Sequence, residues 1–359
     1  MSDYTLTRIY PSHTQSMNQV TRLLAAEGLQ IDAHLDYTAG LYDGDTLIAT
    51  GSFFRNTLRC FAINPNYQGQ ALLNTLVSHL IEEQFRRGYS HVFVYTKLSS
   101  APYFKALGFH EVAQGGTLVS LLENHPHAFT SYVEGLSQDT EAALSQWPIS
   151  NITNPLHVAI VMNANPFTYG HLHLVETAAV HADVLHLFIV SEDASFFPTF
   201  VRKQLVIEGT RHIKNIVYHD CGPYLISSTV FPSYFQKSEN ATITSQALLD
   251  TAIFSRIAHS LAITHRYVGD EPFSQVTAIY NSIMEKQLTA SGITLHTVPR
   301  LTDESGHHIS ASAVRQALST DNWSTVHSMV PPTTYRFLQS PQAQPILSAL
   351  KGVEDVTHY

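Results

Sequence analysis

The chain has 359 residues, 44% of them hydrophobic and 14% charged, a composition that describes a well-packed globular protein too long for one typical domain. A net charge of −9 with no Lys/Arg-rich block argues against bulk electrostatic capture of nucleic acid, so the ligand should be small or carried by another protein. The start "MSDYTLTRIY" lacks a charged-then-apolar leader and no apolar run is long enough to cross a bilayer, so a cytoplasmic address with no membrane partner is expected.

Taken in chain order, "TQSMNQVTRLLAAEGL" (14–29) has the spacing of an amphipathic helix, and "GLYDGDTLIATGSFF" (40–54) reads as two strands around an Asp-Gly turn. A strand at "LRCFAIN" leads through "PNYQGQ" into a long helix, followed by a strand at "HVFVYTK" and a short helix at "APYFKALGF". Over roughly residues 1–130 this order resembles the GNAT acetyltransferase fold. The resemblance implies that Gln68, Gly69, Gln70 and Ala71 form the turn whose backbone amides hold a coenzyme A-like pyrophosphate, although Asn66 departs from the Gln/Arg that opens the family pattern. Read alone, the same turn is an ordinary helix start. No residue declares itself as the base that an amine acetyltransferase needs.

Residues 134–153 lose the strand pattern and read as a linker or short bridging helix. From residue 154 to 359, short apolar strands alternate with helices, which predicts an α/β domain with a parallel sheet wound on both faces and a ligand at the strand ends. Cys60 and Cys221, the only cysteines, sit in separate strand-like runs and point away from a disulfide framework or a Cys metal site. The 21 histidines show no H-E-x-x-H run, and His171 and His173 should face different ways at a helix start, so no metal site is expected.

Two stretches carry chemistry. In "VMNANPFTYGH" a strand gives way at Asn163, Asn165, Pro166 and Gly170 to a helix start, an arrangement whose free N–H groups face an anion. In "ISASAVR" (309–315), Ser310 and Ser312 can cap a helix while donating to phosphate oxygens, and Arg315 lies one turn further on with a bidentate fork. His171 can place an N–H where charge grows on an α-phosphate. Taken alone, "ISAS" is equally a plain N-cap.

"TYGH" (168–171) and "ISASAVR" resemble the paired T/H-x-G-H and I-S-x-S-x-V-R signatures of the nucleotidylyltransferase superfamily. With "LHLFIVSEDASFFP", "FPSYFQK" and "ITHRYVGDEPFSQVTAIYN", the chain resembles the [citrate (pro-3S)-lyase] ligase family, which joins a GNAT-like domain (here 1–133) to a Rossmann-like nucleotidylyltransferase domain (here 154–359). The resemblance implies ATP-dependent acetylation by way of acetyl-adenylate, with magnesium carried by ATP. The acceptor would be the thiol of a phosphoribosyl-dephospho-coenzyme A arm on the acyl carrier (gamma) subunit of citrate lyase. It implies catalytic roles for His171, Lys237 and Arg315, and ATP contacts from Asn163, Asn165, Pro166, Phe167, Thr168, Gly170, Arg202, Gly269, Glu271, Ile309, Ser310 and Ser312 besides. Three alternatives stay open on the residues themselves. They are an adenylyltransferase releasing a dinucleotide, a GNAT amine acetyltransferase using acetyl-CoA, and a non-catalytic nucleotide sensor.

Overall fold

The computed structural model describes residues 4–32, 34–147, 152–191, 195–225, 231, 239–270, 275–302, 306, 308–353 and 356. Two compact units emerge, Met1–Phe129 with Val230–Ala252, and Thr130–Thr229 with Ile253–Tyr359.

In the first unit the elements run β1 (Thr5–Ile9), α1 (Thr14–Ala26), β2 (Tyr37–Asp43), β3 (Thr46–Phe54), β4 (Thr57–Ile63), α2 (Leu72–Arg86), β5 (Phe93–Lys97), α3 (Ala101–Ala106), β6 (His110–Gly115) and β7 (Val119–Glu123), with α4 (Ala128–Leu144) beginning at its end. The sheet order is β1-β2-β3-β4-β5-β7-β6. Helix α1 buries Val20, Leu23 and Leu24, and α2 buries Leu72, Leu76, Val77 and Leu80, the three- and four-residue spacing that turns one face of a helix to a sheet. Among the described strands of this unit the one parallel pair, β4 with β5, holds register only at Thr57–Phe93 and Leu58–Val94, although the strands continue to Ile63 and Lys97, so they part toward their carboxyl ends. Phe231, from the later segment, packs edge-on against Tyr95 of β5 with centroids 5.6 Å apart. Burial pushes the Cys60 thiol up to about 12, the condition of a small core hydrophobe.

The second unit carries β8 (His157–Met162), α5 (Tyr169–Val180), β9 (Val184–Ile189), α6 (Thr199–Gly209), β10 (Ile216–Asp220), the later part of α7 (Glu239–Ser260), β11 (Ile263–Gly269), α8 (Gln275–Ala290), β12 (Thr294–Val298), α9 (Ala311–Ser319), α10 (Trp323–Met329), α11 (Pro332–Leu338) and α12 (Gln344–Lys351). Its five strands are all parallel in the order β10-β9-β8-β11-β12. This is the expected doubly wound sheet. All six residues of β9 are buried, as a strand covered on both faces requires. From β8 the chain winds outward through β9 and β10, then returns to β11 on the other side, which makes the β8/β11 boundary the switch point where such sheets take ligands. The span 134–153 expected to join the domains is helical in its first half, as part of α4.

Three histidines form a ladder across this sheet. His157 Nδ1 lies 2.8 Å from His186 Nε2, and His186 Nδ1 lies 2.9 Å from His219 Nε2, while His219 Nδ1 is buried without a partner. A bare lone pair costs less than a bare N–H, so the proton sits on each Nε2, and His219 donates to His186, which donates to His157. Burial lowers the His186 pKa to about 2, helped by its two imidazole neighbours, and lowers His219 to about 4. Among the described residues no helix is long and apolar enough to cross a membrane.

Candidate active site

A cavity of about 370 Å³ opens at the carboxyl ends of β8 and β11. Its wall includes Asn163, Thr168, Gly170, His171, Gly269, Ile309, Ser310, Ser312 and Arg315, so the two motifs, well over a hundred residues apart in sequence, share one cleft. They meet closely. A Cβ on Gly170 would lie 3.0 Å from the Ile309 carbonyl, so any larger residue would press the start of α5 against the turn into α9.

Each helix start is capped from within its own motif. The Thr168 hydroxyl accepts from the His171 backbone N–H at 3.4 Å, and the Thr168 N–H donates to His171 Nδ1 at 3.1 Å, a reciprocal capping box. Because that backbone donor fixes Nδ1 as an acceptor, the imidazole proton resides on Nε2. Burial, with the Arg300 cation beside it, lowers the His171 pKa to about 4, so at neutral pH the ring is an uncharged N–H donor. At α9, Ser310 Oγ accepts from the Ala313 N–H at 3.1 Å and lies 3.1 Å from Ser312 Oγ. The result is a cleft with two helix N-termini, three hydroxyls, two imidazoles, two arginines and, among its described lining residues, no carboxylate. In a chain of net charge −9 this local excess of donors selects an anion.

Several residues expected at the nucleotide are placed behind the cleft wall. Arg202 is fully buried, with Nε donating to the Phe197 carbonyl at 2.9 Å, one terminal nitrogen to the Asn163 and Val190 carbonyls at 2.9 and 2.7 Å and to Asn163 Oδ1 at 2.7 Å, and the other to Thr199 Oγ1 at 2.9 Å. It ties the ends of β8 and β9 to the start of α6. Asn165 is 2% exposed and accepts the Phe197 N–H at 3.1 Å, and Pro166 beside it is buried. Phe167 has no exposed surface and stacks under His171 with centroids 5.9 Å apart at 19°. Its own seat is Gly209 at the end of α6, where a Cβ would come within 2.4 Å of the ring. Arg315 reaches the cleft, but its Nε donates to the Val356 carbonyl at 2.7 Å and a terminal nitrogen to the Asn165 carbonyl at 2.6 Å. Lys237 and Glu271 lie outside the described residues. In the first unit, Gly69 takes φ +81° and Ala71 φ +57° ahead of α2, and Gln70 accepts from the Tyr4 hydroxyl.

Two ionisable cleft residues escaped the sequence reading. Arg300 follows β12, and its Nε donates to the Asp270 carbonyl at 2.7 Å. Its only sequence signal is a lone cation after a strand end. His173 lines the same cavity as His171.

Known proteins share this combination. The citrate lyase ligase C-terminal domain family matches residues 157–338, and the acetyltransferase (GNAT) family matches residues 5–109. The chain is 34% identical to the [citrate (pro-3S)-lyase] ligase of Haemophilus influenzae over 90% of its length and 96% of that protein's. It is 36% identical to the Klebsiella pneumoniae protein of the same name over 89% and 91%, and 34% identical to that of Escherichia coli over 93% of both chains. With a capped anion cleft in its parallel-sheet unit, a GNAT-type unit before it and such relatives along nearly its whole length, the chain belongs to the [citrate (pro-3S)-lyase] ligase family.

Proposed function

We propose that this chain activates acetate with ATP and passes the acetyl group to the thiol of the phosphoribosyl-dephospho-coenzyme A arm on the acyl carrier subunit of citrate lyase. The observation that carries this reading is the meeting of the Thr168–His171 box and the Ser310 cap around one cleft with no carboxylate among its described lining residues. ATP would lay its phosphates against the N-termini of α5 and α9, with magnesium entering on the nucleotide. An acetate oxygen attacks the α-phosphorus, and the bond from it to the bridging oxygen of the β-phosphate breaks. The electron pair leaves on pyrophosphate. His171, neutral and with its proton on Nε2, donates a hydrogen bond to the α-phosphoryl oxygens as their charge grows. The carrier thiol then attacks the acetyl carbonyl carbon, AMP departs with the electrons of the acyl–oxygen bond, and the thiol proton goes to solvent.

The functional division we propose is residues 154–359 for adenylate formation, 134–153 as the joining segment, and 1–133 for holding the arm at the turn Gln68–Ala71, in a cytoplasmic enzyme. Acetate-dependent exchange of labelled pyrophosphate into ATP tests the first half-reaction. Robust exchange that vanishes without acetate is expected. Transfer of AMP to a phosphomonoester, or consumption of acetyl-CoA without ATP, in place of that exchange would overturn the reading.

A further inference from the structure

Resting on the ATP reading above, we propose that Arg300 is a catalytic residue whose guanidinium contacts the phosphate chain of the bound nucleotide and stabilises the charge that gathers on pyrophosphate as it leaves. Its place in the fold sets this up. Val298 ends β12, Pro299 stops the strand, and both line the cleft with Arg300. Asp270 follows the end of β11, the strand at the switch point, and its carbonyl holds Arg300 Nε at 2.7 Å. One edge of the guanidinium is therefore pinned to the carboxyl edge of the sheet, and the residue lines the same cavity as the N-terminal residues of two helices.

The surroundings make that cation effective. Burial lowers the Arg300 pKa from its usual value, a mark of partial desolvation, and its charge reaches His171 strongly enough to help keep that ring neutral. A partly desolvated guanidinium interacts with phosphate far more strongly than one in open water, and its planar donors match phosphate oxygens. The two cleft arginines differ in burial and in place, Arg300 being only partly buried. Arg315 is 3% exposed and clamps the Asn165 and Val356 carbonyls, so it fixes the shape of the turn. Arg300 stands at the strand ends, in the lining of the same cavity. No proton moves in this step: the electron pair of the broken phosphorus–oxygen bond settles on pyrophosphate, and Arg300 donates hydrogen bonds to the oxygens that gain it.

The test uses the full chain with Arg300→Gln and Arg300→Lys, titrated by calorimetry with magnesium-ATP, pyrophosphate and adenosine, beside the exchange assay. Arg300→Gln should weaken ATP and pyrophosphate about tenfold or more while adenosine stays within about twofold, and exchange at saturating ATP should fall at least about tenfold. Arg300→Lys should lie between it and the wild type. Unchanged ATP affinity and exchange in both variants overturn the proposal, and so does an equal loss of adenosine, which would show a distorted cleft. If the wild type binds ATP in an Arg300-dependent way yet shows no acetate-dependent exchange, the acetate reading fails and the Arg300 contact stands. If the wild type exchanges and Arg300→Gln exchanges equally well, only the Arg300 proposal fails.

Discussion

Lowering the pH from 7.5 to 5.0 should strip the parallel-sheet unit of about 4 kcal/mol through the histidine ladder alone. His186 and His219 are 0% and 2% exposed, and burial lowers their folded pKa values to about 2 and about 4, against an ordinary value of 6.5 that the unfolded chain keeps. The sign follows from proton counting. Between 6.5 and the folded values the unfolded chain binds protons that the native ladder refuses, so stability is full above pH 6.5 and falls as the pH drops toward about 4. Each pH unit in that window is worth about 1.4 kcal/mol per group, so 1.5 units below 6.5 remove about 2 kcal/mol from each imidazole. Against a typical total of about 5–15 kcal/mol, this is a large share. Both tryptophans, Trp147 and Trp323, belong to the second unit, so urea titrations followed by tryptophan fluorescence report on it directly. Replacing the ladder with His186→Leu and His219→Phe together should flatten the pH dependence, whatever it does to stability at pH 7.5. Equal midpoints at pH 7.5 and 5.0 in the wild type, or an undiminished acid slope in the double variant, would refute the reasoning.

His171→Ala removes the N–H donor that we propose serves the α-phosphoryl group and should cut acetate-dependent pyrophosphate exchange about a hundredfold or more with the fold intact; near-normal exchange in a folded variant removes His171 from the chemistry. Arg202→Lys keeps a charge but cannot span the Phe197, Asn163 and Val190 carbonyls and Thr199, so it should cost about 2–4 kcal/mol in the fluorescence-monitored urea titration. An unchanged urea midpoint combined with lost ATP binding would make Arg202 a nucleotide contact instead. Gly69→Val puts a β-branched side chain at φ +81° and should leave pyrophosphate exchange intact while slowing acetyl transfer to the carrier thiol, and equal loss of both steps would point to misfolding.

The order of strands and helices was legible because apolar runs such as "LHVAIV" and "VLHLFIV" carry the pattern of doubly buried strands, and because the Asp-Gly turn and the "TYGH" and "ISAS" helix starts are local signals. What escaped depends on contacts that sequence distance hides. Arg202 is expected at the nucleotide, yet its partner Asn163 lies 39 residues away, and Arg315 finds the Asn165 carbonyl across 150 residues. The three ladder histidines lie on three different strands, and nothing in their spacing shows that the strands stand side by side. The grouping of residues 230–252 with the first unit is equally hidden, since an apolar helix face reads the same whichever sheet it covers.

The seat of Phe167 on Gly209 ties the volume of one position to that of another. Helix α6 contributes no lining residue to the cleft, yet it sets how deep the ring beneath His171 can sink. In homologous chains, residues 167 and 209 should therefore trade size: an alanine or serine at 209 is tolerated only where 167 has shrunk to leucine or smaller, and a large ring at 167 demands glycine. A laboratory selection for altered adenylate chemistry would find this pair as compensating double changes, with each single change scored as an unexplained loss of turnover.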